Sequence, residues 1–164
     1  MMKSTKAIIQ AVTLTIAAIA QIVLTFFFYS KEVNSILRNI GWVILWISAV
    51  FGWLPIYTFK KWGRVPKGKS YVNTTVLVDR GLYSIIRHPQ YFAGILIGLG
   101  LTLVAQLWFV GVLGAVVIII CYADMFEAEK SALEQYGDAY KRYMGSVPRM
   151  NVLLGIYRRL RRKG

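Results

Sequence analysis

In the stretch "RGLYSIIRHPQYFAGILIGLG", Arg80 to Gly100, a charged loop turns into an apolar segment, and the chain's single histidine, His88, stands at the join between Arg87 and Pro89. Pro89 suits the first position of a helix, because its ring presets the backbone and its missing N–H would have no partner there. His88 is then the N-cap. A helix N-terminus presents unpaired N–H groups and the positive end of the dipole, so with Arg87 and His88 beside it this mouth suits a carboxylate or a phosphate. The same residues equally suit a headgroup contact by Arg87 and simple capping by His88. Farther in, Tyr91, Gly94 and Gly98 share one helix face at spacings of three and four, while Gly100 lies on another. The pair Gly94 and Gly98 serves close helix packing or leaves room for a flat ligand. Downstream, Asp124, Glu127 and Glu129 follow an apolar run. His88 and Glu129 would both sit at the cytoplasmic ends of one tight hairpin, giving a polar ligand a basic pole, an acidic pole and aromatic walls.

The elements that must position these residues are apolar helices. The chain has 164 residues, 57% of them hydrophobic, with a formal net charge of +13, which is too apolar for an ordinary soluble domain. Charged residues avoid Ala7 to Ser30, Asn39 to Phe59 and Pro89 to Ala123, each long enough to cross a bilayer core that needs about 20 apolar residues. The third stretch would make a helix of roughly 52 Å at 1.5 Å per residue, too long for one crossing, so a turn is expected near Ala105, Gln106 and Leu107. The expectation is an all-α, polytopic membrane helix bundle with about four spans, at 7–29, 40–59, 89–104 and 108–126, and a cytoplasmic C-terminal helical segment.

Lys and Arg collect at Lys3 and Lys6, in the first loop, between Lys60 and Arg87, and after the last span, with none in the tight turn. By the positive-inside rule both termini and the 60–88 loop are cytoplasmic. The N-terminal apolar run continues through "QIVLTFFFYS", past the small residues Ala18 and Ala20, so it reads as a retained span and not as a cleaved signal. Basic residues flanking spans are accounted for by topology and anionic lipid, which leaves no call for nucleic acid. The lone Cys121 permits neither an intrachain disulfide nor a zinc cluster, and no metal is expected.

One membrane domain, 1–164, is expected, with a scaffold hairpin at 7–59 and a site region at 60–150. The 60–88 loop, with Gly63, Pro66, Gly68 and a β-branched run from Val72 to Val78, far exceeds the usual loop of about 4 to 6 residues and reads as a folded lid or binding segment. After the last span, helical spacing runs to Tyr136, Gly137 signals a stop, and Tyr140 and Tyr143 follow three apart. The tail "YRRLRRKG" reads as a polybasic membrane-surface anchor.

With "LVDRGLYSIIRHPQYFAGILIGLG" and "EKSALEQYGDAYKRYMGSVPR", the C-terminal half resembles the membrane methyltransferases of the isoprenylcysteine carboxyl methyltransferase and phospholipid methyltransferase group. An RHPxY paired with a downstream E...YGxxYxxY is more specific than either piece alone. The resemblance implies methyl transfer from S-adenosylmethionine to a lipophilic or prenylated substrate at the membrane face. It places Arg87, His88 and Tyr91 on the cofactor motif, Gly98 and Gly100 on its GxG, Glu129 on the second of paired glutamates with both a cofactor and a catalytic role, and Arg149 on the basic position of "VPR" as a catalytic residue. Ala128 stands where the first glutamate is expected, and Glu127 is one residue, or about 100° of helix, away. The motif is also similar to that of NADPH-dependent membrane sterol reductases, in which it ends in Gly-Glu; here Ile95 follows Gly94.

Two acceptors fit this resemblance. A carboxylate, as in an isoprenylcysteine-like acid, is ionised at neutral pH and needs a cation such as Arg149 to orient it. A phospholipid ethanolamine nitrogen must first lose a proton, to Glu127, Glu129 or a tyrosine. The abundance of basic groups leans towards the acid. A NADPH-dependent reductase and a non-catalytic scaffold are the readings outside this class.

Overall fold

The computed structural model describes residues 5–161, so Lys3 of the N-terminal flank and Arg162 and Lys163 of the basic tail lie outside the described residues. Six α-helices follow one another: α1 (Thr5–Phe27), α2 (Ser35–Trp62), α3 (Pro89–Ala105), α4 (Trp108–Tyr136), α5 (Asp138–Ser146) and α6 (Val152–Arg161), with a 3-10 turn at Gly81–Ser84 before α3. No strand occurs among the described residues, and the all-α expectation holds. Helices α1, α2 and α4 are long and apolar enough to cross a membrane, and α3 is a shorter apolar helix. The expected turn is present: α3 stops at Ala105, Gln106 takes a left-handed φ of 52°, and α4 starts at Trp108. Helix α4 runs ten residues beyond the expected limit of 126. Charge marks where hydrocarbon ends, whereas the helix continues until Gly137, whose φ of 53° breaks it at little cost for a residue without a Cβ.

The chain divides into two compact units. The first is the described part of Met1–Ala49 with Ala93–Asp124. It is held by close backbone approach. A Cβ on Gly41 of α2 would meet the Gly100 carbonyl oxygen at 2.8 Å and the Val104 nitrogen at 2.9 Å. On α3, a Cβ on Gly98 would meet the Gly114 carbonyl oxygen of α4 at 3.0 Å, and one on Gly100 would meet Leu45 of α2 at 2.9 Å. Two residues turn a helix by about 200°, so these two glycines let α3 take a neighbour on each side. From α1, the buried Gln21 Nε2 donates to the Gly98 carbonyl at 2.9 Å and lies 3.3 Å from Thr102 Oγ1.

The second unit is Val50–Phe92 with Met125–Gly164, as far as described. Its loop after α2 folds back on itself: Thr75 donates its N–H to the Gly63 carbonyl at 3.0 Å and its hydroxyl to the Arg64 carbonyl at 2.9 Å. The β-branched run remains a loop whose polar atoms are tied to α4. Gln135 Nε2 and the Tyr136 hydroxyl both donate to the Thr74 carbonyl, at 3.0 and 3.1 Å. From α5, the Tyr143 hydroxyl donates to the Tyr83 carbonyl of the 3-10 turn at 2.6 Å.

Candidate functional site

Pro89 opens α3, and the His88 carbonyl accepts the N–H of Phe92 at 3.0 Å, so His88 occupies the N-cap position. Its side chain does other work. His88 Nε2 lies 3.1 Å from Glu129 Oε1; a carboxylate can only accept, so Nε2 carries the proton and donates. Arg87 Nη2 reaches the same oxygen at 3.1 Å. Arg149, from the segment after α5, donates Nε to Oε1 at 3.2 Å and Nη2 to Oε2 at 2.6 Å, the two-point fork that suits a carboxylate. Its guanidinium also sits 4.4 Å from the centre of the Phe126 ring. The backbone completes the assembly, with Arg87 N–H donating to the Pro148 carbonyl at 3.1 Å. Residues separated by up to 62 positions thus meet on one buried carboxylate.

The electrostatics follow from this count of charges. One carboxylate faces two guanidiniums, so the cluster is net positive before His88 titrates. Burial first, then Arg87 and Arg149, push His88 down to about 4, against the opposing pull of Glu129. At neutral pH His88 is a neutral donor.

Beside the cluster is a cavity of about 290 Å³, on whose wall Arg87, His88 and Tyr91 lie. Much of the remaining wall is aromatic: Phe59, Tyr83, Tyr140 and Tyr143. Phe59 stacks on Tyr83 with centroids 4.6 Å apart and rings 10° from parallel. Burial pushes the Tyr140 hydroxyl up to about 12 and that of Tyr83 further, so these walls stay uncharged. Thr74, Leu77 and Val78 bring the loop after α2 to the same cavity.

Arg87 is incompletely satisfied. Its Nη2 is paired with Glu129, but Nε and Nη1 are buried and have no partner. Leaving charged donors unpaired in a protein interior is costly, and here they belong to a residue on the wall of a cavity.

The structure brings Arg87, His88, Tyr91, Glu129 and Arg149 into one unit, with the first three on the cavity wall and the last two joined to them through the ion cluster. Gly98 and Gly100 belong to the other unit, and the space of their missing side chains is taken by α4 and α2. Ala128 lines the cavity, whereas Glu127 is exposed and is not on its wall. Sequence reasoning assigned no role to Tyr83, Thr74 or Gln135, and it did not pair Arg149 with Glu129. The three-residue spacing of Tyr140 and Tyr143 was the one available signal for the aromatic wall.

A family model described as phospholipid methyltransferase matches residues 36–141, from the start of α2 into α5. Arg149 lies beyond the matched segment. No curated protein and no solved structure gives a match.

Proposed function

The chain belongs to the phospholipid methyltransferase family, and from that premise we propose that it transfers a methyl group from S-adenosylmethionine to a lipophilic acceptor at the cytoplasmic face of a membrane, with both termini on that side. The observation that carries the cofactor assignment is Arg87, a cavity-wall residue with two buried donors that have no partner. They fit the carboxylate of an amino acid group. Tyr91 and the other ring faces suit a sulfonium by cation–π attraction. When bound, the cofactor supplies an electrophilic methyl group and a neutral leaving group.

The chain's own residues bind and align. Glu129 fixes the Arg87 guanidinium through Nη2 and holds His88 as a neutral donor. The Thr74 bonds to Gln135 and Tyr136 keep the loop over the cavity and exclude water. Alignment of this kind can remove roughly 7 to 11 kcal/mol of a barrier.

The cavity wall also bears on the acceptor. Among the described residues it carries no carboxylate, its histidine is a weak base at about 4, and its buried tyrosines Tyr83 and Tyr140 are held protonated. A site without a general base suits an acceptor that is already nucleophilic, and a lipophilic carboxylate such as an isoprenylcysteine-like acid meets that requirement. Arg149 is engaged by Glu129, so its part is to hold the cluster. The second reading, a phospholipid amine, is favoured by the description of the matching family.

Calorimetric titration of the detergent-solubilised protein tests the cofactor assignment. Wild type should bind S-adenosylmethionine and not NADPH, and Arg87→Met should bind about 10- to 100-fold more weakly, the worth of charge-assisted hydrogen bonds. Wild type that binds NADPH instead would overturn the reading. Methyl incorporation into a prenylated cysteine acid against phosphatidylethanolamine then separates the two acceptors.

A further inference from the structure

Helix α6 has the sequence VLLGIYRRLR, with no acidic residue, and Asp138 is the last acidic residue of the chain. Gly155 is its buried position, and a Cβ there would collide with the carbonyl of Ile85, so one side of α6 lies against the protein. The apolar side chains are on the opposite side. Leu153, Ile156, Tyr157 and Leu160 follow the i, i+3, i+4, i+7 spacing of one helix face, and Leu153 and Tyr157 are each two residues, about 200°, from Gly155. These side chains are not packed away: Leu153 is 81% exposed, Tyr157 62% and Leu160 67%. Of the basic residues, Arg159 is four residues from Gly155 and shares its side, Arg158 reaches the Gly145 carbonyl at 3.4 Å, and the exposed Arg161, four residues from Tyr157, borders the stripe.

We propose that α6 is a lipid-docking helix, which lays Leu153, Ile156, Tyr157 and Leu160 into the headgroup boundary of the bilayer and sets Arg161 against an anionic phospholipid headgroup. An exposed apolar stripe bordered by a cation, on a helix free of acids, is the pattern of an interfacial helix. The spanning helices of the same chain put a bilayer surface within its reach. A protein partner of general character would not require so one-sided a charge, whereas an anionic leaflet attracts each basic residue near it, by about fivefold in binding constant. The proposal is independent of the cofactor and of the acceptor.

The test uses the full chain in nanodiscs of neutral phosphatidylcholine and in nanodiscs containing phosphatidylglycerol, with amide hydrogen exchange of α6 as readout. Exchange in α6 should be about fivefold slower in the anionic discs, and the difference should shrink as salt is raised. Arg161→Gln should lose most of that difference, and Leu153→Ser/Leu160→Ser should speed exchange in both kinds of disc. Equal exchange of wild-type α6 in the two discs would overturn the proposal, as would protection that follows protein concentration and ignores lipid charge, the mark of a second copy. Because no cofactor is added, failure here leaves the methyltransferase reading untouched.

Discussion

The two units handle buried polarity in opposite ways. In the unit of α1 and the α3–α4 hairpin, the buried polar side chains are Gln21, Thr25 and Ser48, all uncharged. Gln21 Nε2 has the Gly98 carbonyl, and Thr25 and Ser48 bond to carbonyls of their own helices, leaving one neutral acceptor, Gln21 Oε1, without a partner. In the other unit, His88 and Glu129 are buried beside two guanidiniums, and Arg87 retains two unpaired donors of a full charge. Packing closes the first unit with backbone approach at glycines. The second buries a guanidinium with two donors unpaired.

The harshest break of that contrast is Glu129→Ala. It leaves Arg87 and Arg149 without their shared counter-charge, and losing one member of a buried ion cluster costs about 3 to 5 kcal/mol. A large fall in Tm, with loss of S-adenosylmethionine binding, is expected in detergent. Adding Arg87→Met to Glu129→Ala should recover part of the stability and none of the binding; full additivity of the two losses would mean that the pair does not share one cluster.

Acid should act on the second unit alone. His88 is held at about 4 in the folded protein against an ordinary value near 6.5, so the unfolded chain takes up its proton first. The stability that this provides is fully present above about pH 6.5 and is lost as pH falls through about 4, on the order of 3 kcal/mol in total. Unfolding measured across that window should flatten in His88→Gln. The buried polar groups of the first unit do not titrate there.

Gly41→Ala probes the first unit. Its new Cβ would meet the Gly100 carbonyl and the Val104 nitrogen, backbone atoms that cannot swing aside, so a loss of about 1 to 3 kcal/mol is expected. Cofactor affinity should stay within about twofold of wild type, a change worth well under 1 kcal/mol. A smaller effect is expected at Tyr143→Phe, which removes the 2.6 Å bond to the Tyr83 carbonyl at about 0.5 to 1.5 kcal/mol. Calorimetry should find cofactor affinity reduced along with stability, because that bond holds a wall of the cavity.

What the sequence determined by itself was what depends on local pattern. Runs without charge marked the spans, the length of the third run required the turn at Gln106, and Pro89 set the start of α3. The N-cap place of His88 was likewise legible, because a helix mouth is specified by a few adjacent residues. Tertiary structure decided the rest. That Arg149 clamps Glu129, that Gly98 and Gly100 are occupied by neighbouring helices, and that Ala128 faces the cavity while Glu127 does not all depend on which residues meet from distant parts of the chain. Spacing places a residue on a face of its own helix; what stands opposite that face is set by packing, and with it which buried charges are paired and which are not.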